Sequence, residues 1–548
     1  MFRAMKRTLF LLLTPLLAGG LHAQSQSFSR ADTLRGSYTT PGRAWWDAGF
    51  YDLRVRIDPA DSSIRGSNTI VYRILAPGTE MQIDLMTPLE IDSILQAGRP
   101  LAFRRDGNAF FVAVAGSAPN TTGSLTLFYH GRPRAASRPP WEGGFTWGAD
   151  SLHRPWVVTS DQGVGASIWW PNKDTQADEP DSMRIAVTVP RPMIDVSNGR
   201  LRKTTENRDG TVTYEWFVTQ PINNYAVAIN AGSYAHYSDV FEGEGGKLTL
   251  DFYPLSYHLA AAQKQWAQVK PMLACFEHWF GPFPWYQDGY KLIETSHLGM
   301  EHQSAIAYGN GFQNGYRGRD LSSSGLGTRW DFIIVHESAH EWFGNNITTK
   351  DIADMWVHEG FANYSEGLYT ECQFGKEAGA RYTVGSRYNL EGLRPIVTPY
   401  GVNANPPVDQ YYKGGNLLHT IRQIIGDDEK WRGILRGLNS TFRHQTVTGK
   451  QVEDYITTQS GQNLSKVFDQ YLRTTQIPVF DYRIQNDTLS YRWQSTIAGF
   501  DMPIRVTTAP GEWTVVKPTG RWQRLPVRVP AEQFTVDPNY YVAMLREP

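Results

Sequence analysis

Two histidines and a glutamate with the spacing of a metal site lie in the stretch HESAHEWFGN, residues 336–345. Residues four apart lie on one face of an α-helix, so His336 and His340 can direct two imidazoles at one ion. Glu337 lies about 100° further round the helix, where it can act on a water molecule without ligating the ion. The apolar run at residues 332–335 indicates that this helix is buried and holds its side chains rigidly.

A catalytic zinc ion usually takes three protein ligands and keeps one position open, so a third ligand is needed. Glu359 is the candidate, with eighteen residues between it and His340, inside a second segment with helical spacing. The intervening stretch GNNITTKDIA is long enough to turn the chain and lay the second helix beside the first. The sequence therefore predicts one zinc ion per chain, held by His336, His340 and Glu359. The alternative is a buried helix with two satisfied core histidines.

These stretches resemble the M1 family of zinc aminopeptidases, the gluzincins. HESAHEWFGN and the glutamate in WVHEGFA carry the zinc pattern, and YDLRVRIDPADSSIRGSNTIVYRI is similar to the first strands of that family's N-terminal β domain. PINNYAVAINAGSY is similar to the end of that domain. The resemblance implies removal of N-terminal residues from peptides by water attack. Glu337 would be the general base and then the general acid.

The resemblance also implies residues that recognise the substrate. Glu301, in HLGMEHQSAIAYGN, matches the carboxylate that binds the free amine, although His302 stands where asparagine is usual. Gly299 and Met300 would present main chain to an extended peptide. We expect Met300 and His302 to line the pocket for the first residue.

Two further roles come from the same resemblance. In DQYYKGGN, the spacing to the lysine and the glycine fits Tyr411 as the donor that stabilises the oxyanion, with Tyr412 as the alternative. Gln162, in VVTSDQGVGASIWWP, matches a second contact to the amine, with the adjacent Asp161 as the alternative. If Gln162 has this role, the N-terminal domain forms one wall of a cleft between domains.

The leading prediction is a zinc aminopeptidase that acts on peptides with a free N-terminus. A zinc endopeptidase of the same class is one alternative, and it would not need Glu301 or Gln162. A catalytically inactive peptide-binding module is another. Glu337 and Tyr411 are both present, which argues against an inactive module.

The elements that must position these residues fall into three parts. Alternating or β-branched runs fill residues 24–240, helical spacing dominates residues 241–477, and residues 478–548 have strand patterns again. We expect an α+β multidomain fold with an N-terminal β domain, a thermolysin-like α-rich catalytic domain and a small C-terminal β-sandwich. The large helical C-terminal domain of many relatives has no counterpart here, so we expect a cleft open to longer peptides. One long helix is predicted over residues 257–281.

The first residues have the composition of a secretory signal peptide. Arg3, Lys6 and Arg7 precede an apolar run, and small residues follow it. We predict a signal peptide over residues 1–23, with cleavage after Ala23 and a secreted or periplasmic protein. A membrane anchor is the alternative, but the run is shorter than the about 20 apolar residues that span a bilayer, and no later segment is long enough.

Composition excludes some classes of function. The 548 residues include 53 basic and 54 acidic residues, so there is no excess positive charge of the kind that binds nucleic acid. Two cysteines, Cys275 and Cys372, cannot make a disulfide framework for a chain of this size. Their apolar, helix-like surroundings favour core positions, with a single bridge between them as the alternative.

Overall fold

The structure, a computed structural model, describes residues 27–114 and 118–547. The predicted signal peptide at residues 1–23 lies outside the described residues. The chain has a mixed α/β, multidomain fold, as the sequence predicts at this coarse level.

The first part of the chain consists of strands, preceded by one short helix, α1 (Arg30–Gly36). The strands are β1 (Trp46–Asp58), β2 (Ser63–Ile74), β3 (Glu80–Asp84), β4 (Glu90–Gln96), β5 (Arg99–Pro100), β6 (Phe103–Asp106), β7 (Ala109–Ala113), β8 (Thr122–Gly131), β9 (Gly144–Ala149), β10 (Pro155–Ser160), β11 (Ser182–Pro190), β12 (Ile194–Val196), β13 (Arg200–Glu206), β14 (Thr211–Val218) and β15 (Asn230–Gly232). They form an eight-stranded sheet in the order β13-β14-β11-β1-β2-β8-β4-β5 and two smaller sheets, β12-β15-β10-β9 and β3-β7-β6.

The four runs with the clearest strand pattern are β1, β2, β8 and β11, and they are adjacent at the centre of the large sheet. Leu53, Val55 and Ile57 of β1 are buried, whereas Arg54 and Arg56 between them are exposed. Because successive side chains of a strand point to opposite faces, this alternation places one face of the sheet on a core.

The middle part combines helices with a five-stranded sheet. The sheet contains β16 (Tyr237–Gly243), β17 (Gly246–Tyr253), β18 (Tyr290–Glu294), β19 (Gly299–Met300) and β20 (Ile306–Tyr308), in the order β16-β17-β18-β20-β19. The helices are α2 (Leu259–Gln265), α3 (Val269–Phe280), α4 (Phe332–Ala339), α5 (Trp356–Phe374), α6 (Lys376–Gly385), α7 (Asp409–Ile425), α8 (Asp428–Thr441), α9 (Gly449–Ser460) and α10 (Ser465–Arg473). A short parallel pair, β21 (Ile347–Thr349) and β22 (Gln445–Val447), joins the turn after α4 to the start of α9.

The prediction of one continuous helix over residues 257–281 is wrong. A 3-10 turn at Trp266–Gln268 separates α2 from α3. Pro271 lies in the first turn of α3, where its missing N–H costs no helical hydrogen bond, so it favours a new helix start over a continuous helix. The predicted end is correct, because α3 ends at Phe280 and is followed by its C-cap residue Gly281, with φ 92°.

The last part contains β23 (Val479–Gln485), β24 (Thr488–Gln494), β25 (Ile504–Ala509), β26 (Glu512–Val516), β27 (Gln523–Pro526) and β28 (Ala543–Arg546). Four of these strands form a sheet in the order β27-β24-β23-β28, and β25 pairs with β26. Within residues 478–548, where strand patterns are predicted, the run QFTVDP contributes only an isolated bridge between Val536 and Val506.

The buried apolar residues form two clusters. One lies mainly in the first strand-rich part and also includes Leu255, Ile293 and Ala305 of the middle part. The other is continuous from the helices into the last strands. A disulfide joins Cys275 of α3 to Cys372 of α5. Cys275 is buried but Cys372 is exposed, so the expectation of two core cysteines is wrong for Cys372. None of the helices in the described ranges combines the length and the apolar composition needed to cross a membrane.

Candidate metal centre and peptide-binding cleft

His336, His340 and Glu359 meet where α4 lies against α5. Asp331 caps α4 by accepting hydrogen bonds from the main-chain N–H groups of its first turn. His336 Nε2 is 3.5 Å and His340 Nε2 is 3.4 Å from Glu359 Oε2. Donors about 2.0–2.2 Å from a tetrahedral zinc ion lie about 3.3–3.6 Å apart, which matches these separations. Glu359 Oε2 is buried and accepts no hydrogen bond from the described residues, so this donor set fits one zinc ion.

The far sides of both imidazoles have hydrogen-bond partners. His336 Nδ1 is 2.8 Å from Glu366 Oε1, and His340 Nδ1 is 3.0 Å from the main-chain oxygen of Phe343. Tyr382 donates to the second oxygen of Glu366 at 2.8 Å. These contacts orient each ring so that its Nε2 atom points toward Glu359 Oε2. Sequence reasoning missed Glu366, although its spacing of seven from Glu359 puts both on one face of α5.

Glu337 lies against the edge strand β19. A Cβ atom on Gly299 would come within 2.7 Å of Glu337 Oε1, so glycine is what allows the strand to approach the carboxylate. Burial raises the pKa of Glu337 to about 7. Since β19 is the last strand of its sheet, the main chain of Gly299 and Met300 forms part of the cleft wall.

Glu301 and Gln162 lie together beside the ligand set. A carboxylate oxygen of Glu301 lies within 4.8 Å of a carboxylate oxygen of Glu337 and of a ring nitrogen of His340. The amide nitrogen of Gln162 donates to Glu301 Oε1 at 2.5 Å and to Glu359 Oε1 at 2.9 Å. Asp161, the alternative to Gln162, is buried and accepts a hydrogen bond from the indole N–H of Trp169 in the strand-rich part.

A tyrosine that the sequence did not single out also contacts Glu301. The hydroxyl of Tyr225 donates to Glu301 Oε1 at 3.2 Å, and its side chain is buried. These two residues are 76 positions apart, and no local pattern around Tyr225 points to this contact.

The two adjacent tyrosines of α7 have different surroundings. The ring of Tyr411 lies 5.8 Å from the ring of His336, centroid to centroid. Burial and the charges of Glu359, Glu301 and Glu337 raise the pKa of its hydroxyl well above the usual range. The pKa of Tyr412 is raised by burial and by Glu366 instead. Tyr411 is therefore the tyrosine whose hydroxyl faces the ligand set.

A cleft of about 670 Å³ is lined by the three ligands, Glu337, Glu301, Gln162, Tyr411 and Tyr412. The strand-rich part contributes Gln162 and the loop at residues 138–142, and the helical part contributes the ligands, Glu337 and both tyrosines of α7. Met300 lies in the wall, as expected. The expectation for His302 is wrong, because its side chain is fully buried beside His297 and lies outside the cleft wall.

Comparison with known proteins finds a family model that matches the segment with the three ligands. Residues 268–471 match the peptidase family M1 domain. We call residues 268–471 the M1 domain. Glu301, the three ligands, Glu337 and Tyr411 all lie within the M1 domain, whereas Gln162 and Tyr225 precede it.

The known proteins that match this chain have low sequence identity to it. Probable aminopeptidase 1 of Saccharolobus solfataricus is 22% identical over 317 residues, which are 54% of this chain and 38% of that protein. Aminopeptidase N of Lactobacillus helveticus is 21% identical over 490 residues, 80% of this chain and 52% of that protein. The chain thus spans about half or less of the length of these two proteins. A solved M1 zinc metallopeptidase from Deinococcus radiodurans, a mutant bound to a Tyr-Ser-Ala substrate, has a TM-score of 0.67 at 20% identity, covering 82% of this chain and 98% of that one. This similarity shows a shared fold.

Proposed function

We propose that this protein is a zinc-dependent aminopeptidase that hydrolyses the first peptide bond of peptides with a free N-terminus. The observation that carries the proposal is the Glu301 carboxylate, which has an oxygen within 4.8 Å of a Glu337 carboxylate oxygen and of a His340 ring nitrogen. The three zinc ligands and Glu337 alone would be sufficient for an endopeptidase. A carboxylate this close can hold a substrate ammonium through charge-assisted hydrogen bonds, and so place the first peptide bond beside Glu337.

His336, His340 and Glu359 would hold the zinc ion, in keeping with the M1 domain match and the metallopeptidase fold. Bound zinc lowers the pKa of water to about 7 and polarises carbonyl groups. Glu337 takes the proton of the attacking water and delivers it to the amine that leaves.

The other residues of the cleft bind and orient the substrate. The hydroxyl of Tyr411 donates a hydrogen bond to the oxygen that becomes negative in the transition state. Glu301 and Gln162 hold the ammonium group, and the main chain of Gly299 and Met300 pairs with the extended peptide. The peptide therefore enters with its N-terminus toward Gln162 and its second residue toward β19.

The test compares one peptide in free and N-acetylated forms, with and without chelator, followed by added zinc. The free peptide should lose residues one at a time from its N-terminus, the acetylated peptide should stay intact, and zinc should restore activity after chelation. Equal cleavage of the two peptides would indicate an endopeptidase instead. Absence of chelator-sensitive cleavage of either peptide would indicate an inactive binding module.

We also propose the domain layout and the location of the protein. The strand-rich residues 24–240 would be an N-terminal β domain, residues 241–477 a thermolysin-like catalytic domain and residues 478–548 a β-sandwich. The signal peptide at residues 1–23 would direct the protein to the periplasm or the exterior. N-terminal sequencing of protein from cell fractions tests this, and a chain that begins at Gln24 outside the cytoplasm is expected. A chain that keeps Met1 would contradict it.

A further inference from the structure

Glu301 is held by two different parts of the chain. Its main-chain oxygen accepts a hydrogen bond from the Asn345 side chain of the M1 domain, at 2.9 Å. Its carboxylate oxygen Oε1 instead accepts from Gln162 and Tyr225, which both precede the M1 domain. The M1 domain thus places the Glu301 backbone, and residues outside that domain set the direction of its carboxylate.

Tyr225 is itself firmly placed. It lies in a 3-10 turn, Asn224–Ala226, and the side chain of Asn223 accepts a hydrogen bond from the Tyr225 main-chain N–H at 3.3 Å. The side chain of Asn224 donates to the main-chain oxygen of Lys173 at 2.7 Å and ties the turn to the strand-rich part. The Tyr225 side chain is 4% exposed. Burial raises the pKa of its hydroxyl well above the usual range, so the hydroxyl keeps its proton and remains a donor.

The two hydrogen bonds leave the other oxygen of Glu301 for a ligand. Among the described residues, no side chain donates to Glu301 Oε2, whereas Oε1 accepts two hydrogen bonds. The terminal torsion of a glutamate side chain is broad, so a carboxylate held by one donor can rotate. A second donor on the same oxygen fixes the carboxylate plane.

We propose that Tyr225 is a positioning residue for amine recognition, whose hydroxyl fixes the Glu301 carboxylate so that Oε2 faces the ammonium group of the substrate. This inference rests on the aminopeptidase function proposed above. It assigns to the strand-rich part a role in recognising the free N-terminus that goes beyond forming one wall of the cleft.

Tyr225→Phe removes the hydroxyl and keeps the ring. KM for aminoacyl arylamides should rise about tenfold, the worth of one hydrogen bond to a charged group. The kcat should change by less than about twofold, because the ammonium contact is the same in the ground state and the transition state. Zinc content should be unchanged. Inhibition by a free amino acid should weaken about tenfold, whereas inhibition by its N-acetyl form should not change.

Tyr234→Phe is the matched control. Tyr234 is also buried, and its hydroxyl donates to the main-chain oxygen of Glu294 at 3.0 Å, outside the cleft wall. Its loss should lower thermal stability without changing KM. In a Glu301→Gln background the effect of Tyr225→Phe on amino-acid binding should disappear, because Tyr225 acts through that carboxylate.

The inference is overturned if a folded Tyr225→Phe protein keeps the wild-type KM and the wild-type preference for free over acetylated ligands. It is also overturned if the effect persists unchanged in the Glu301→Gln background. If the proposed aminopeptidase function is wrong, the wild-type protein alone will show it by cleaving free and acetylated peptides equally. That result would also overturn the inference about Tyr225.

Discussion

Glu366 and the main-chain oxygen of Phe343 hold the Nδ1 atoms of His336 and His340, at 2.8 Å and 3.0 Å. A free imidazole could turn either nitrogen toward the metal, and these two partners determine which nitrogen it is. At the scale of single residues, ligand spacing along the chain therefore explains only part of the site. The hydrogen bonds behind the ligands supply the rest of its geometry.

Glu366→Gln tests this role. The amide keeps the size of the side chain but loses the charge that orients His336, so zinc affinity should fall roughly 10- to 100-fold. Competition with a chromogenic chelator measures the change. Glu377→Gln, at an exposed position of α6, is the control and should bind zinc as the wild type does. Wild-type affinity in the Glu366 variant would show that the carboxylate does not support the ligand.

At the scale of elements, α5 and α7 approach each other through glycine. A Cβ atom on Gly414 would lie 2.9 Å from the Cα atom of Gly360, and one on Gly360 would lie 3.1 Å from the Cα atom of Gly414. Because no side chain separates the two helices at this point, Tyr411, one turn earlier on α7, comes within reach of the ligand set. The close packing of α5 and α7 therefore explains why residue 414, in the stretch DQYYKGGN, is a glycine.

Gly414→Ala should push α7 away from α5 and withdraw Tyr411 from the cleft. We expect a kcat loss of at least tenfold and a destabilisation of about 1–3 kcal/mol from overpacking. Gly433→Ala is the matched control, since Gly433 is an exposed residue of α8 with no atom within 4 Å of an added Cβ. It should leave kcat unchanged and stabilise the protein by up to about 1 kcal/mol. Equal kinetics of the two variants would contradict the role of the glycine contact.

At the scale of the whole molecule, the disulfide ties the helix that carries Glu359 to α3. Cys275 and Cys372 close a loop with a sequence separation of 97. In the chain-entropy description, a bridge of this length restricts the unfolded chain by up to about 4–5 kcal/mol at 25 °C. The bridge thus supports the fold around the ligand helix while lying away from the cleft.

Cys372→Ser should lower the free energy of unfolding by about 2–5 kcal/mol, as measured by denaturant titration. The activity of the folded variant should match that of the wild type, because neither cysteine lines the cleft. Wild-type protein unfolded in the presence of reductant should give the same curve as the variant. Identical stability of oxidised wild type and variant would show that the bridge contributes nothing to the fold.

The sequence predicts features that depend on local periodicity and misses those that depend on approach between distant segments. Strands β1, β2, β8 and β11 follow from alternation, and the ends of α3 and α5 follow from glycines at their termini. Glu366 and Tyr225 contact the site across 30 and 76 positions of the chain. Periodicity places Glu366 on the same face of α5 as Glu359. Which side chains Glu366 and Tyr225 contact depends instead on how the sheets and helices pack.

The most direct test of the account is zinc content and turnover measured together on purified Glu337→Gln. The variant should hold one zinc ion per chain, because Glu337 is not among the three proposed ligands. Its kcat on an aminoacyl arylamide should fall roughly 10²- to 10⁴-fold, because the group that moves the proton is lost. Turnover near the wild-type value, or loss of the zinc ion, would contradict the assignment of Glu337 as general base beside a centre formed by His336, His340 and Glu359.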